Sequence, residues 1–225
     1  MIVTAPLVAL AAVQFTCAAL PDRPPREAGA FRAADLVELV RVEPSIRLDV
    51  RYATANNFVG RPVYRQPRVF LQRPAAEAVA RAHRALASKG YGLLVFDGYR
   101  PWSVTRLFWQ VTPPHLKEFV ADPRKGSRHN RGCAVDLTLF DLATGRELEM
   151  PTAYDDFTEK AAQDYAGATP AQSAHRRILR DAMLAEGFLI YPSEWWHFDY
   201  AAWQEYPILD APFEDLARSS LVSRW

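Results

Sequence analysis

The sequence predicts an α+β fold in which helices pack against a central, largely antiparallel sheet. Segments with apolar residues at helical spacing occur between short apolar or alternating segments that are typical of strands. The chain has 225 residues, of which 49% are hydrophobic and 24% are charged. This length and composition indicate a domain with a substantial core, and they exclude a disordered chain or a collagen-like repeat.

Three segments are predicted to be helices. The first covers residues 74–89, with a proline in the first turn, one apolar face and a stop at Gly90. The second follows Pro101, and the third begins at Thr169 and ends before Gly187. Their apolar residues recur with the spacing of a helix that packs one side against a core.

Four segments are predicted to be strands. Alternation predicts strands at residues 46–50 and 133–140, and continuous apolar runs predict strands at residues 93–96 and 188–191. In the segment 133–140, apolar side chains share one face while Asp136 lies on the opposite face.

The charge balance and the cysteine count limit the partners and metal sites that are possible. The 27 Lys and Arg residues nearly balance the 26 Asp and Glu residues, which argues against nucleic acid or an anionic membrane surface as a main partner. Two cysteines are too few for a disulfide framework or a cysteine-rich zinc site. A metal bound here would need histidine and carboxylate ligands.

Residues 1–19 are predicted to be a signal peptide, followed by a Pro-rich linker at 20–30 and a single domain at 31–225. The N-terminal segment is mostly apolar and uncharged, and Ala18 and Ala19 offer a cleavage point, although no basic residue precedes Arg23. Cleavage would leave no stable membrane span. The sequence therefore predicts export to the periplasm, with a cytoplasmic protein as the alternative.

A loop and the strand after it bring His129 close to Asp136 in the sequence. His129 lies in a glycine-containing loop, and Asp136 projects from the polar face of the strand. A carboxylate in an apolar strand is costly to bury without compensation. A bound metal would compensate it, as would an Arg or His partner, and Asp136 taken alone favours an ordinary buried ion pair.

A second segment adds Glu194 and His197. Two histidines and one carboxylate are a common ligand set for catalytic zinc, which leaves one position for water, and Glu194 could then act as a general base. Taken alone, this Glu-Trp-Trp-His segment fits a core strand with a hydrogen-bonded histidine; with His129 and Asp136 included, a metal site is favoured. Because positions three apart on a flat strand face opposite sides, the chain must bulge or turn near residues 192–193.

Arg100 follows a Gly-Tyr pair after the predicted strand at 93–96. Taken alone it fits a surface or ion-pairing residue. It could also serve as a fixed positive charge that faces the oxyanion formed when water attacks a carbonyl. Arginine suits that role because it stays charged and presents a planar set of donors.

Several motifs extend this pattern over most of the chain. Ser-x-His at 127–129, Gly-x-Ala-x-Asp at 132–136 and Glu-x-x-His at 194–197 are found across the zinc D,D-peptidases, including the D,D-carboxypeptidases. Three further motifs are typical of a narrower set of these enzymes: Tyr-Ala-Thr at 52–54, Asp-Gly-Tyr-Arg-Pro at 97–101 and the two tryptophans before the last histidine. In this combination the sequence resembles the zinc D-alanyl-D-alanine dipeptidases.

The resemblance implies a role for each position of the predicted centre. His129, Asp136 and His197 would hold one Zn²⁺ per chain. Glu194 would be the general base, and Arg100 would stabilise the tetrahedral oxyanion.

The resemblance also implies the residues that bind substrate. Asp155 falls where the family places a carboxylate for the free amino group of the substrate, and the adjacent Asp156 leaves that alignment open by one residue. Ser127 and Tyr52 would line the substrate pocket.

The activity implied by the resemblance is hydrolysis of a small-molecule dipeptide, D-alanyl-D-alanine, to two D-alanines. The first alternative is a D,D-carboxypeptidase or endopeptidase that acts on peptidoglycan peptides, with the same metal set and a more open groove. The second is a non-catalytic zinc module that binds cell-wall peptides or a protein partner. The sequence leaves the oligomeric state open.

Overall fold

The structure is a computed structural model that describes residues 20–216. The predicted signal peptide, residues 1–19, lies outside the described residues. Within the described part, no helix combines the length and the apolar character that a membrane crossing requires.

The predicted helices are present, with ends within a few residues of those expected. The α-helices that frame the sheet are α1 (Leu39–Val42), α2 (Arg73–Ala87), α3 (Trp102–Val111) and α4 (Pro170–Ala185). At the start of α4, the Thr169 hydroxyl accepts a hydrogen bond from the backbone N–H of Gln172, whose side chain bonds back to Thr169. This reciprocal cap satisfies backbone donors that the first turn leaves free.

The central sheet has five strands: β2 (Arg47–Leu48), β4 (Tyr91–Asp97), β5 (Ala134–Asp141), β6 (Phe188–Tyr191) and β7 (Glu194–Tyr200). They lie in the order β2-β4-β5-β7-β6. Only the pair β2–β4 is parallel, so the expectation of a largely antiparallel sheet is confirmed. Two further strands, β1 (Leu36–Glu38) and β3 (Phe70–Gln72), form a separate antiparallel pair.

The strand expected at residues 46–50 is shorter than its alternation predicted. Only Arg47 and Leu48 pair with β4, and the chain then enters a 3₁₀ turn at Arg51–Ala53. The backbone N–H of Asp49 still donates to the carbonyl of Val95. Pairing ends there because the turn carries Tyr52 away from the sheet and into the core.

Both faces of β5 are covered, since residues 134–140 are all buried. The apolar residues Val135, Leu137 and Leu139 belong to the main core, together with side chains from α2 and α4. Asp136 lies on the opposite face because side chains alternate along a strand. The functional residues described below gather on that second face.

Residues 20–35 run without helix or strand along the surface of the domain. Glu27 forms an ion pair with Arg131, and its Oε2 atom accepts a hydrogen bond from the N–H of Ile208 at 2.8 Å. Further along, the N–H of Arg32 donates to the carbonyl of Glu205. The segment predicted as a linker is therefore in contact with the loop that carries His129.

Candidate active site

Strand register brings the three candidate metal ligands together. Asp136 on β5 is the direct cross-strand partner of His197 on β7. Directly paired residues of an antiparallel ladder point to the same face, so both side chains meet on one side of the sheet. His129 enters from a 3₁₀ turn, His129–Arg131, that ends at Gly132 just before β5. Gly132 has φ +69°, a left-handed conformation that suits glycine.

The ligand atoms of these residues converge on one point. The Nε2 atom of His129 lies 3.1 Å from the Nδ1 atom of His197. Oδ1 of Asp136 is 3.0 Å from that Nδ1 atom and 3.4 Å from the Nε2 atom of His129. All three residues are buried, and each offers one ligand atom to the group.

Each ligand side chain is oriented by a hydrogen bond on its far side. Nδ1 of His129 contacts the carbonyl oxygen of Gly98 at 2.7 Å, and Nε2 of His197 contacts Oδ1 of Asp199 at 2.9 Å. The hydroxyl of Tyr154 donates to Oδ2 of Asp136 at 2.9 Å. Such outer partners fix the direction in which a metal ligand points.

These outer bonds determine which ring nitrogens face inward without a proton. A carbonyl or carboxylate oxygen can only accept, so the outer nitrogen of each neutral imidazole carries the hydrogen. The inner nitrogens of His129 and His197 then present lone pairs to each other and to Oδ1 of Asp136. Three mutually facing acceptors repel one another unless a metal cation, or a proton on one of the nitrogens, lies between them. The donor set therefore fits a divalent metal ion, and two imidazoles with one carboxylate suit zinc.

Glu194 lies beside this cluster. The pairing of β6 with β7 shifts in register between Ile190 and Tyr191. This shift is the irregularity that was expected near residues 192–193. As a result, Oε2 of Glu194 lies 3.8 Å from Nδ1 of His197 although the two residues are three apart. Burial raises the pKa of Glu194 to about 7, a value suited to accepting and returning a proton near neutrality.

Arg100 is buried and fixed by Asp97. Its Nε and Nη2 atoms lie 3.0 and 2.8 Å from Oδ2 of Asp97, and Nη2 is 3.8 Å from Oδ2 of Asp136. Burial opposes the guanidinium charge, but the Asp97 carboxylate and the tyrosines around it together raise the pKa of Arg100 well above its ordinary value. The ion-pairing interpretation and the site interpretation of Arg100 are thus compatible.

A cavity of about 200 Å³ contains these groups and reaches Asp155. The Tyr52 hydroxyl donates to both carboxylate oxygens of Asp155, at 3.1 and 2.9 Å. Burial, reinforced by the charge of Asp136, raises the pKa of Asp155 well above its ordinary range. The backbone of Asp155 has φ +60°, and its side chain lines the cavity. Asp156 instead contacts the exposed Thr158 hydroxyl.

The loop that precedes His129 contributes one hydroxyl and two basic side chains to the lining of the cavity. Ser127 lines it, and its hydroxyl accepts a hydrogen bond from the N–H of His129 at 3.2 Å. Lys125 and Arg128 also line the cavity. Arg131 instead pairs with Glu27, away from the cavity.

Three residues of this arrangement were not predicted from the sequence: Tyr154, Gln163 and Asp199. The Nε2 group of Gln163 donates to the backbone carbonyls of Glu194 and Trp195, each at 3.2 Å, and so holds the segment that carries the carboxylate. Asp199 could have been predicted from the sequence, because a residue two positions after His197 on a strand shares its face. Tyr154 and Gln163 come from irregular segments with no such signal.

Comparison with known proteins places the chain in a family. The peptidase M15 family model, described as D-ala-D-ala dipeptidase, matches residues 32–218. The D-alanyl-D-alanine dipeptidase of Escherichia coli (strain K12) is 34% identical over 179 residues, covering 80% of this chain and 91% of the relative. The D-alanyl-D-alanine dipeptidase of Enterococcus faecalis (strain ATCC 700802 / V583) is 35% identical over 199 residues, covering 79% of this chain and 93% of the relative.

A third relative, the D-alanyl-D-alanine dipeptidase of Enterococcus faecium, is 35% identical over 174 residues, covering 68% of this chain and 85% of the relative. The family match includes every residue of the candidate site. The resemblance first suggested by the motifs is confirmed, and the chain belongs to the peptidase M15 family of D-ala-D-ala dipeptidases, which are metallopeptidases.

Proposed function

We propose that this chain is a zinc-dependent dipeptidase that hydrolyses D-alanyl-D-alanine to two D-alanines. The observation that carries the proposal is the composition of a single cavity. It holds three converging metal ligands, a carboxylate with its pKa raised to about 7 beside them, and a buried guanidinium. These are groups that metal-assisted hydrolysis of an amide bond uses.

Three residues would hold the metal and two would act on the reacting atoms. His129, Asp136 and His197 would bind Zn²⁺, which when bound polarises a carbonyl and activates water. Glu194 accepts a proton from the attacking water and later passes it to the leaving amine. Arg100 faces the oxygen on which negative charge develops, and its donors are fixed in advance by Asp97.

The far end of the cavity suits the amino end of a short substrate. Asp155 is a buried carboxylate, and the rise in its pKa shows that burial disfavours its charge in the free protein. A substrate ammonium group would offset that penalty, because an opposite charge stabilises a buried carboxylate. Ser127 and Tyr52 line the same cavity and complete the proposed substrate site.

The test is release of D-alanine by the purified protein. We would offer D-Ala-D-Ala, L-Ala-L-Ala and a pentapeptide ending in D-Ala-D-Ala, each with and without a chelator, and then restore zinc. Release from the D,D-dipeptide alone, lost with chelator and recovered with zinc, supports the proposal. Release from the pentapeptide would move the assignment to a D,D-carboxypeptidase, and bound zinc without any release would favour a binding module.

We also propose that the protein is exported and cleaved near residue 19. The support is the apolar, uncharged N-terminal segment with small residues at 18 and 19. N-terminal sequencing of protein recovered from the periplasm and from the cytoplasm tests this. An intact Met1 on a cytoplasmic protein would contradict it.

A further inference from the structure

Asp199 is a buried carboxylate that the proposed reaction does not use. It is 5% exposed and lies two residues after His197 on β7, so the two side chains share one face of the sheet. Its cross-strand partner on β5 is Ala134, whose small side chain leaves room for a carboxylate at this place. Asp199 does not line the cavity that holds the other groups.

Both carboxylate oxygens of Asp199 have a nearby partner. Oδ1 accepts the hydrogen bond from Nε2 of His197 at 2.9 Å, and Oδ2 lies 3.5 Å from Nε of Arg128. The guanidinium of Arg128 in turn lies over the ring of Trp203, at 4.9 Å from its centroid. Arg128 therefore partly compensates the charge of Asp199 through an ion pair, while the hydrogen bond with His197 is the shorter contact.

The two histidine ligands differ in what holds them. His129 is oriented by a neutral backbone carbonyl, whereas His197 is oriented by a full negative charge. A carboxylate on the outer nitrogen fixes the tautomer and makes the inner nitrogen a stronger electron-pair donor. It also prevents the ring from turning toward Glu194, which lies on the opposite side of His197.

We propose that Asp199, supported by Arg128, is a positioning residue that sets the metal affinity of the site through His197. This inference rests on the proposed function only in taking His129, Asp136 and His197 as the metal ligands. It assigns Asp199 no contact with substrate.

The test is zinc affinity of the metal-free protein, measured by competition with a chromophoric chelator. Asp199→Ala removes the acceptor, and we expect zinc to bind about 10- to 100-fold more weakly. Asp199→Asn keeps an oxygen that can accept from Nε2 of His197 without the charge, so we expect partial rescue, with a loss of about tenfold or less. At saturating zinc, KM for the dipeptide should stay within about twofold, since Asp199 does not line the cavity.

A matched control removes one negative charge elsewhere. Asp181→Asn changes an exposed carboxylate on α4 that pairs with Arg180, and it should bind zinc like the unaltered protein. Thermal unfolding of each metal-free variant checks folding, and the visible spectrum of the Co²⁺ form should change in Asp199→Ala but not in Asp181→Asn.

Two results would overturn the inference: unchanged zinc affinity in both Asp199 variants, or an equal loss in Asp181→Asn. If Asp199→Ala fails to fold, Asp199→Asn decides the question: a loss of zinc affinity that Asp181→Asn lacks supports the inference, and no loss overturns it. Zinc binding without dipeptidase activity in the unaltered protein would reject the proposed function. It would leave the affinity comparison for Asp199 intact, so the two failures are distinguishable.

Discussion

Arg100 and Asp97 are joined through a single carboxylate oxygen, because both Nε and Nη2 of the guanidinium lie within 3.0 Å of Oδ2. Oδ1 of Asp97 accepts from the N–H of Gly98 and from the Tyr64 hydroxyl, each at 2.9 Å. Asp97 is itself held on β4, next to Asp136 on β5. The guanidinium is thus fixed by a carboxylate that is in turn fixed by the sheet.

We expect Asp97→Asn to lower kcat by about 100-fold with a smaller change in KM. The neutral amide does not balance the guanidinium charge, and its one oxygen cannot accept from all the donors that converge on Asp97. Loss of one oxyanion donor typically costs about 10²- to 10³-fold. Tyr64→Phe is the matched control, since it removes one bond to Asp97 but keeps the carboxylate and should cost less. Equal kcat values for Asp97→Asn and the unaltered enzyme would contradict this role for Asp97.

Replacing Glu194 should separate catalysis from metal binding. Glu194→Ala removes the proton acceptor, and we expect kcat to fall by about 10²- to 10⁴-fold. Zinc content should remain at one per chain, because the three proposed ligands are untouched. The measurement pairs D-alanine release with metal analysis of the same sample, and normal turnover would exclude Glu194 as the general base.

Asp155 and Asp156 provide a matched pair for the amino-group site. Asp155→Asn removes a buried charge, and we expect KM for D-Ala-D-Ala to rise about 10- to 100-fold, as for a lost hydrogen bond to a charged group. Asp156→Asn alters a half-buried neighbour that contacts the Thr158 hydroxyl outside the cavity lining, and it should leave KM nearly unchanged. The reverse order of effects would shift the assignment by one residue.

The stability of the fold should fall in mild acid because of His83. Its Nδ1 atom accepts from the N–H of Leu93 at 3.1 Å, so its proton lies on Nε2, which contacts the Ser45 hydroxyl. Burial lowers the pKa of His83, although Glu43 partly opposes the effect. The neutral form therefore contributes stability that is present above about pH 6.5 and is lost as pH falls toward the lowered pKa of the folded state.

Urea unfolding of the unaltered protein and of His83→Gln, at about pH 8 and about pH 5, measures this contribution. The glutamine does not titrate, so the unaltered protein should lose more stability than the variant on acidification. The same loss in both proteins would show that other groups are responsible.

The three longer α-helices and four of the seven strands in the described part of the chain could be predicted, because their patterns are local. Proline and threonine mark the start of α4, and apolar spacing defines the buried face of α2. The strand at residues 46–50 was predicted too long because its end depends on the turn that buries Tyr52. That turn is set by tertiary packing, which alternation in the sequence does not report.

The candidate metal ligands could be identified from motifs, but their mutual geometry could not. The meeting of Asp136 and His197 depends on the register between two strands separated by more than fifty residues of sequence. Tyr154 reaches Asp136 from an irregular segment, and no periodicity predicts where such a segment packs. A register shift near Tyr191 was expected because Glu194 and His197 had to face the same metal, but no sequence pattern showed it.

The direct pairing of Asp136 with His197 also makes the centre a reporter of correct folding. A slip of one residue between β5 and β7 would place Trp196 or Phe198 opposite Asp136 and turn His197 to the other face. Misfolded molecules of that kind would contain every ligand residue and yet be unable to bring them together. Zinc stoichiometry of a preparation would then count the molecules whose central strands are aligned as in the native fold.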